Sequence, residues 1–246
     1  MQAVCGNTFG VKKGEILGLL GPNGAGKSTT FSMMCLDISR TSGEAKVLDT
    51  KVEDLDVLDQ GSYIGLCPQY NTLWEQLTVD ESLNLIARMK GLSAEDRDRN
   101  KRLILETLEL NDFIDTRAGN LSGGNKRKLC CAQTLLVCPL VEFLDEPTTG
   151  VDPVSRRSLL RMVKQLNNSS VLLSTHRMDE AEQLCDNIAI MINGRFVCYG
   201  SPSYLKKTYG VGYTLHIRQT IAMMNQLDVP QIVQRDIPNA VMSNHG

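Results

Sequence analysis

No stretch of this chain approaches the roughly 20 consecutive apolar residues that a membrane helix needs, and residues 1–20 lack the charged-then-apolar layout of a signal peptide. The 246 residues therefore read as a soluble domain. A basic surplus is missing too. With 26 Lys and Arg against 28 Asp and Glu, the formal net charge of -2 leaves no electrostatic footprint for nucleic acid, because neutralising phosphates takes clustered cations. The eight cysteines, Cys5, Cys35, Cys67, Cys130, Cys131, Cys138, Cys185 and Cys198, are scattered through apolar segments without the paired short spacings of a zinc site. They read as reduced, buried thiols that pack as small hydrophobes. Internal repeats and low-complexity linkers are absent.

What is present is apolar material for a core, 42% of the residues, arranged in short runs. Glu15–Leu20, Ser62–Leu66, Val141–Leu144, Val171–Ser174 and Ile188–Ile192 are bounded by turn or polar residues and mostly followed by helix-like sequence, which predicts a mostly parallel α/β sheet. Between Thr78 and Asn120 the positions Leu83, Ile86, Met89, Leu103, Leu105, Leu108 and Leu110 recur nearer a helical period, amid many charges. An inserted helical lobe follows. From Val211 onward one strand, Tyr213–Ile217, and an amphipathic helix are expected before the sequence stops, like the opening of a further subdomain.

Gly21-Pro22-Asn23-Gly24-Ala25-Gly26-Lys27-Ser28 fits G-x-x-x-x-G-K-[ST], follows an apolar strand and precedes a helix expected from Ser28 to about Asp37. In that context glycines let successive amides curl around the β- and γ-phosphates, and the helix N-terminus adds a favourable dipole. Lys27 supplies a charge and Ser28 can ligate Mg²⁺. Gly21 through Thr29 are the candidate nucleotide contacts. Phe143-Leu144-Asp145-Glu146 ends another strand with two carboxylates, one to hold a metal's shell, Asp145, and one to poise water, Glu146. A third strand ends at Thr175-His176. Ligands of an open parallel sheet bind beyond the carboxyl ends of its strands, so Lys27, Asp145, Glu146 and His176 are expected on one rim.

Leu121-Ser122-Gly123-Gly124-Asn125 stands directly before a helical stretch, Lys126–Val137. A bare helix N-terminus with flexible glycines suits an anion, and Lys126, Arg127 and Lys128 crowd the positive end of that helix, where cations need an offsetting anion. Since one loop already cradles a triphosphate, this second anion site most economically serves a nucleotide held by another molecule. A surface cap with solvated charges is the competing reading.

As a set, these residues resemble the nucleotide-binding domain of ATP-binding cassette (ABC) proteins, over nearly the whole chain and in the family's order. The resemblance makes Gly21–Ser28 the Walker A loop and Gln69 of Cys67-Pro68-Gln69-Tyr70 the Q-loop glutamine, sharing Mg²⁺ with Ser28 and Asp145. It makes Leu121–Asn125 the signature, Asp145 and Glu146 the end of Walker B, Gly150-Val151-Asp152 the D-loop and His176 the switch histidine; Glu146, His176 and Lys27 are then the catalytic set. The fold implied is an α/β P-loop NTPase with a mostly parallel central sheet, an antiparallel β portion at the N-terminus and an inserted helical subdomain at about 78–140. The cassette would occupy 1–210, with an incomplete C-terminal regulatory subdomain at 211–246. Also implied are ATP and Mg²⁺ as cofactors and ATP hydrolysis coupled to transmembrane transport. The partners implied are the transmembrane domains of the same transporter, at the cytoplasmic face of a membrane, and a second cassette. In that head-to-tail dimer Ser122 and its glycines complete the opposite ATP site.

Finer features resemble the A subfamily of ABC transporters, the lipid exporters: Leu66-Cys-Pro-Gln-Tyr-Asn71, Leu121-Ser-Gly-Gly-Asn-Lys-Arg-Lys-Leu129, Gly150-Val-Asp-Pro-Val-Ser-Arg-Arg157 and Ile190-Met-Ile-Asn-Gly-Arg-Phe196. Two positions depart from the family pattern. The one aromatic before Gly21 is Phe9, which fits a core strand better than an adenine platform, so the chain is expected to begin inside the domain. Glu142 lies within a strand that should be wholly apolar, so it is expected to have a partner or a partly open strand face. Rival readings are a soluble ABC ATPase acting on chromosomes, DNA repair or ribosomes, which would carry a coiled-coil insertion or basic surface, and a catalytically weak ATP-binding regulatory fragment. A P-loop kinase or GTPase leaves the signature unexplained.

Overall fold

The apolar runs become strands, and the glycine and carboxylate pairs that follow them become the turns where the chain leaves the sheet. The computed structural model describes residues 3–56, 62–166 and 168–210, with Val233 and Arg235. The strand expected at Tyr213–Ile217 and the helix after it lie outside the described residues. The chain divides into two compact units, Met1–Tyr209 and Gly210–Gly246, and every element named below belongs to the first.

In chain order the strands are β1 (Ile16–Leu20), β2 (Lys46–Val47), β3 (Thr50–Lys51), β4 (Ile64–Cys67), β5 (Val141–Asp145), β6 (Ser170–Thr175), β7 (Asn187–Ile192) and β8 (Arg195–Gly200). Six of them form one sheet in the order β4-β5-β6-β1-β7-β8, parallel except for the β7–β8 edge, while β2 and β3 make a separate antiparallel hairpin. The antiparallel hairpin lies toward the N-terminus, as expected, just after the phosphate loop, and the chain before β1 holds no strand among the described residues. The turn into β8 is Asn193-Gly194, both left-handed at φ 48° and 78°, the pairing that a two-residue hairpin turn demands.

The helices are α1 (Lys27–Met34), α2 (Val79–Met89), α3 (Ala94–Thr107), α4 (Gly123–Leu135), α5 (Pro153–Lys164), α6 (Met178–Leu184) and α7 (Pro202–Tyr209). Helix α1 stops before Asp37, where Leu36 turns left-handed at φ 61°. In the helical lobe, α2 begins with a reciprocal Thr78–Glu81 capping box and α3 with a Ser93 cap, each satisfying amides the helix itself cannot. One apolar cluster packs α2 to α6 on one face of the sheet. The other gathers Phe31 of α1, Phe143 of β5 and the β2–β3 hairpin, with the two rings edge-on at 5.3 Å. Phe9 joins this second cluster and packs against Phe196, also at 5.3 Å, as a core residue outside any strand.

Two expectations fail here. Glu142 has neither a partner nor an open face: it is 0% exposed and neither carboxyl oxygen makes a hydrogen bond. It lies across the ladder from Gly65, where any Cβ would collide with the carboxyl group and with Pro139. Burial pushes its carboxyl well above the usual carboxylate range, against the opposing Lys90 charge, and so favours the neutral acid. All eight cysteines are free as expected, but Cys138 is exposed where a buried thiol was expected, and three of the thiols meet in the fold. Cys67 Sγ lies 3.8 Å from Cys130 Sγ and 3.5 Å from Cys131 Sγ, at the contact of β4 with α4.

Candidate nucleotide site

The register of the central strands, Leu20 beside Thr175 and Asp145 beside Ser174, brings three strand ends level. The loop Gly21–Gly26, the Asp145-Glu146 pair and Thr175-His176 therefore leave the sheet on one rim, as the sequence implies.

The loop needs its glycines for different reasons. A Cβ at Gly21 would strike the Met191 carbonyl, while Gly24 and Gly26 hold left-handed φ values of 80° and 105°. The Gly194 amide donates to the Ala25 carbonyl at 2.9 Å and fastens the loop to the β7–β8 turn. Pro22, Asn23, Gly24 and Ser28 are exposed, Thr29 is partly so, and α1 starts with no side-chain cap and no acidic residue in its first turn. Amides left without partners at a helix N-terminus suit an anion. Lys27 is folded inward: its ammonium donates to the carbonyls of Gly21 (2.8 Å) and Pro22 (3.2 Å).

Glu146 is the centre of the cluster. Lys27 Nζ is 3.7 Å from its Oε1, while Thr149 Oγ1 (2.9 Å), His176 Nδ1 (3.2 Å) and Gln69 Nε2 (3.4 Å) surround its Oε2. Its backbone is left-handed at φ 45°, a strained state for a residue with a side chain, held by a Ser174 bond to its amide at 2.9 Å. The Ser174 hydroxyl also donates to Asp145 Oδ1, so one buried serine fixes both acids. Thr149 and Ser174 went unread in the sequence, although Ser174 stands two positions before His176 on the same strand end.

Ser28, Gln69 and Asp145 line one hollow of about 370 Å³. A hydroxyl, an amide and a carboxylate are hard oxygen donors that fit Mg²⁺ better than a soft metal. Among the described residues no group of three or more His, Cys, Asp and Glu could hold a metal ion.

The signature turn opens α4 apart from this cluster, and here the charge argument fails. The N-terminus is not bare, because the Ser122 hydroxyl accepts from the Asn125 amide at 3.2 Å. The three cations have partners inside the chain: Lys126 with Glu75 at 3.5 Å, Lys128 with Glu109 at 3.8 Å, and Arg127 with three backbone carbonyls. No anion is needed to offset them. Ser122 and Gly123 remain exposed, while Gly124 is packed so tightly on α5 that a Cβ would lie 2.5 Å from Asp152 Oδ2. Asp152 caps α5, and the amide and hydroxyl of Ser155 hold its carboxyl below the usual range. Behind the rim, Glu180, fully buried, accepts from Thr148 at 2.7 Å and Thr175 at 3.2 Å and pairs with Arg156 at 2.7 Å, bracing the segments on either side of Glu146 and His176.

The family model described as ABC transporter matches residues 5–149. ATP-binding cassette sub-family A member 2 of Rattus norvegicus is 44% identical over 95% of this chain, and the chain spans 10% of that protein. The retinal-specific phospholipid-transporting ATPase ABCA4 of Bos taurus is 43% identical over 85% of the chain, which spans 9% of it. ABC transporter A family member 5 of Arabidopsis thaliana is 41% identical over 99%, and 26% of its length is matched. Among solved structures, the ATP-binding subunit of an ABC transporter superposes with a TM-score of 0.77 at 30% identity, covering 85% of this chain and 87% of that one. The dimeric bacterial cassette MJ0796, in a post-hydrolysis state with ADP and Pi, gives 0.72 at 26% identity, with 81% and 90% covered. The rim, the ordered motifs and these likenesses agree: the chain belongs to the ABC transporter family and is an ATP-binding cassette of its ATPase type.

Proposed function

We propose that this cassette closes head to tail on a second cassette around two ATP molecules, hydrolyses them, and so drives lipid across a membrane through the transmembrane domains of the same transporter. The observation that carries the reading is the Glu146 carboxylate, ringed by Lys27, Gln69, Thr149 and His176 at the end of the phosphate loop's own sheet. Backbone amides of the Gly21–Thr29 stretch, Pro22 excepted because it has no N–H, hold the triphosphate, and Lys27 exchanges the Gly21 and Pro22 carbonyls for phosphate oxygens. Ser28, Gln69 and Asp145 hold Mg²⁺, which supplies charge neutralisation at the phosphates when bound. Glu146 takes the proton of the attacking water, Gln69 and Thr149 fix its carboxylate, and His176 donates toward the γ-phosphate or the water.

The signature residues Leu121 to Asn125 serve the partner's nucleotide, with Ser122 and Gly123 exposed for it. The dimeric cassettes among the structural neighbours support this arrangement. A groove of about 570 Å³ beside β4, α2 and α4, with Tyr70 and Trp74 on its exposed wall, offers the transmembrane domains a surface next to Gln69. Relatives named as phospholipid-transporting ATPases and a cholesterol transporter support lipid as cargo, and the cytoplasmic face of the membrane is the place this reading assigns to the cassette. No helix among the described residues is long and apolar enough to cross a membrane. Nucleic acid is not a partner in this reading, in keeping with the net charge of -2.

The test is phosphate release by the purified chain at increasing protein concentration. Turnover should rise more steeply than linearly, and Gly123→Asp should remove that rise while the chain still binds ATP. A chain that binds ATP yet neither turns it over nor self-associates would overturn the reading. Lys27→Met should weaken ATP binding by roughly 10- to 100-fold, the loss of one charge-assisted bond to phosphate, as read by a fluorescent nucleotide. Phe9 is engaged by Phe196, so in this reading it does not stack on the base and the phosphate contacts carry the affinity. ATP and GTP should therefore compete within about tenfold, since base stacking is worth roughly 1–3 kcal/mol.

A further inference from the structure

Arg127 lies in the second turn of α4, 3% exposed, with no carboxylate at ion-pair distance among the described residues. Its guanidinium is spent on three backbone carbonyls from distant parts of the chain: Nε donates to Pro147 at 3.0 Å, Nη1 to Pro68 at 2.5 Å and Nη2 to Asp145 at 2.8 Å. Two of these carbonyls flank Glu146 in the chain, and the third belongs to the peptide that leads into Gln69. Burying a cation without a counter-charge is costly, and an apolar side chain of similar volume would pack the same space. The arrangement earns its place by what it holds. Glu146 carries a left-handed backbone at φ 45°, and its carboxylate faces Gln69 Nε2 at 3.4 Å across the junction that the guanidinium spans.

We propose that Arg127 is a positioning residue that sets the Gln69–Glu146 pair and ties it to the signature turn at the head of the same helix. The planar fork is suited to the task, because three carbonyls in different directions can be held only by a group with several fixed donors. A displacement of Ser122–Gly124 moves α4 as a rigid rod, and Arg127 passes it to both sides of Glu146 and to the start of the Gln69 loop. In the closed pair of cassettes, occupancy of the partner's nucleotide site would thereby adjust the water-activating group of this chain's own site. This inference rests on the roles given to Gln69 and Glu146 above.

The test is hydrogen exchange on the full chain carrying Arg127→Lys, which keeps the charge and loses the fork. Amides in 66–72 and 143–150 should exchange at least tenfold faster while those of α2 and α3 are unchanged. Nucleotide affinity should stay within about twofold, and turnover should fall at least tenfold with KM little altered. Wild-type exchange in those two segments, or acceleration spread evenly over the domain, would overturn the proposal. Gly124→Ala provides a second test with Arg127 intact, since its Cβ would overlap Asp152 and Ser155 and push α4 away from them. It should quicken exchange in the same two segments; no response there would equally sink the idea. Exchange requires no turnover, so a wild type that binds ATP without hydrolysing it would refute the role of Glu146 and still leave the exchange data to decide on Arg127.

Discussion

Glu146→Gln should bind ATP within about threefold of the wild type while turnover falls by a factor on the order of 10² to 10⁴, the range that a positioned general base supplies. The amide keeps the size of the carboxylate and can still face Thr149, Gln69 and His176, so the site retains its shape. What it loses is the ability to take a proton, together with the negative charge 3.7 Å from Lys27. Removing that charge frees Lys27 to turn toward phosphate, which is why affinity should hold or improve. Phosphate release at saturating ATP, beside equilibrium nucleotide binding, separates the two effects. Unchanged turnover would strip Glu146 of the role, and a parallel loss of binding would make it a structural residue.

A different glutamate should govern how stability depends on pH. Glu142 is buried without a hydrogen bond and keeps its proton in the fold far above its ordinary value of 4.5. Below that value the folded and unfolded chains both hold the proton and the position adds no slope. As the pH rises beyond it, the unfolded chain releases the proton while the folded one retains it, so unfolding is favoured by up to about 1.4 kcal/mol per pH unit. The loss continues until the pH reaches the raised value. Against Glu142→Gln, which cannot ionise, the wild type should therefore lose unfolding free energy steadily as the pH rises from about 5.5 toward about 7.5. Urea unfolding of the two proteins across that range gives the difference directly; parallel curves would mean that the carboxyl ionises normally inside the fold. Glu142→Val should be more stable than the wild type at neutral pH, because it removes the buried polar group while leaving Gly65 its clearance.

The rim was legible in the sequence because each of its parts is a local pattern at a strand end. The spacing from Gly21 to Ser28, the paired acids at Asp145 and Glu146, and His176 after an apolar run all announce themselves within a few residues. What escaped depends on neighbours far along the chain. Helix dipole reasoning about Lys126, Arg127 and Lys128 treats α4 as if it stood alone, whereas Glu75, Glu109 and the Pro68, Asp145 and Pro147 carbonyls come from elsewhere in the fold. Glu142 was rightly singled out as odd, but only the position of Gly65 across the ladder shows how an acid fits there without a partner. Strand β8 was missed although Asn193-Gly194 is a strong hairpin signal; its alternation of exposed and half-buried residues lacks the apolar run that marks the central strands.

The place of β1 in the sheet also orders events at the ribosome. This strand is made well before both of its neighbours, which lie more than 150 residues further along: Leu17 is registered against Leu172 on one side and Asn187 on the other. Until those segments have left the exit tunnel, the phosphate loop that β1 carries has no frame to hold it. Closing so long a loop is slow compared with forming the local helices of the lobe. ATP, which recognises only the finished loop, can then act as a late selector, drawing completed chains out of the partly folded pool by mass action.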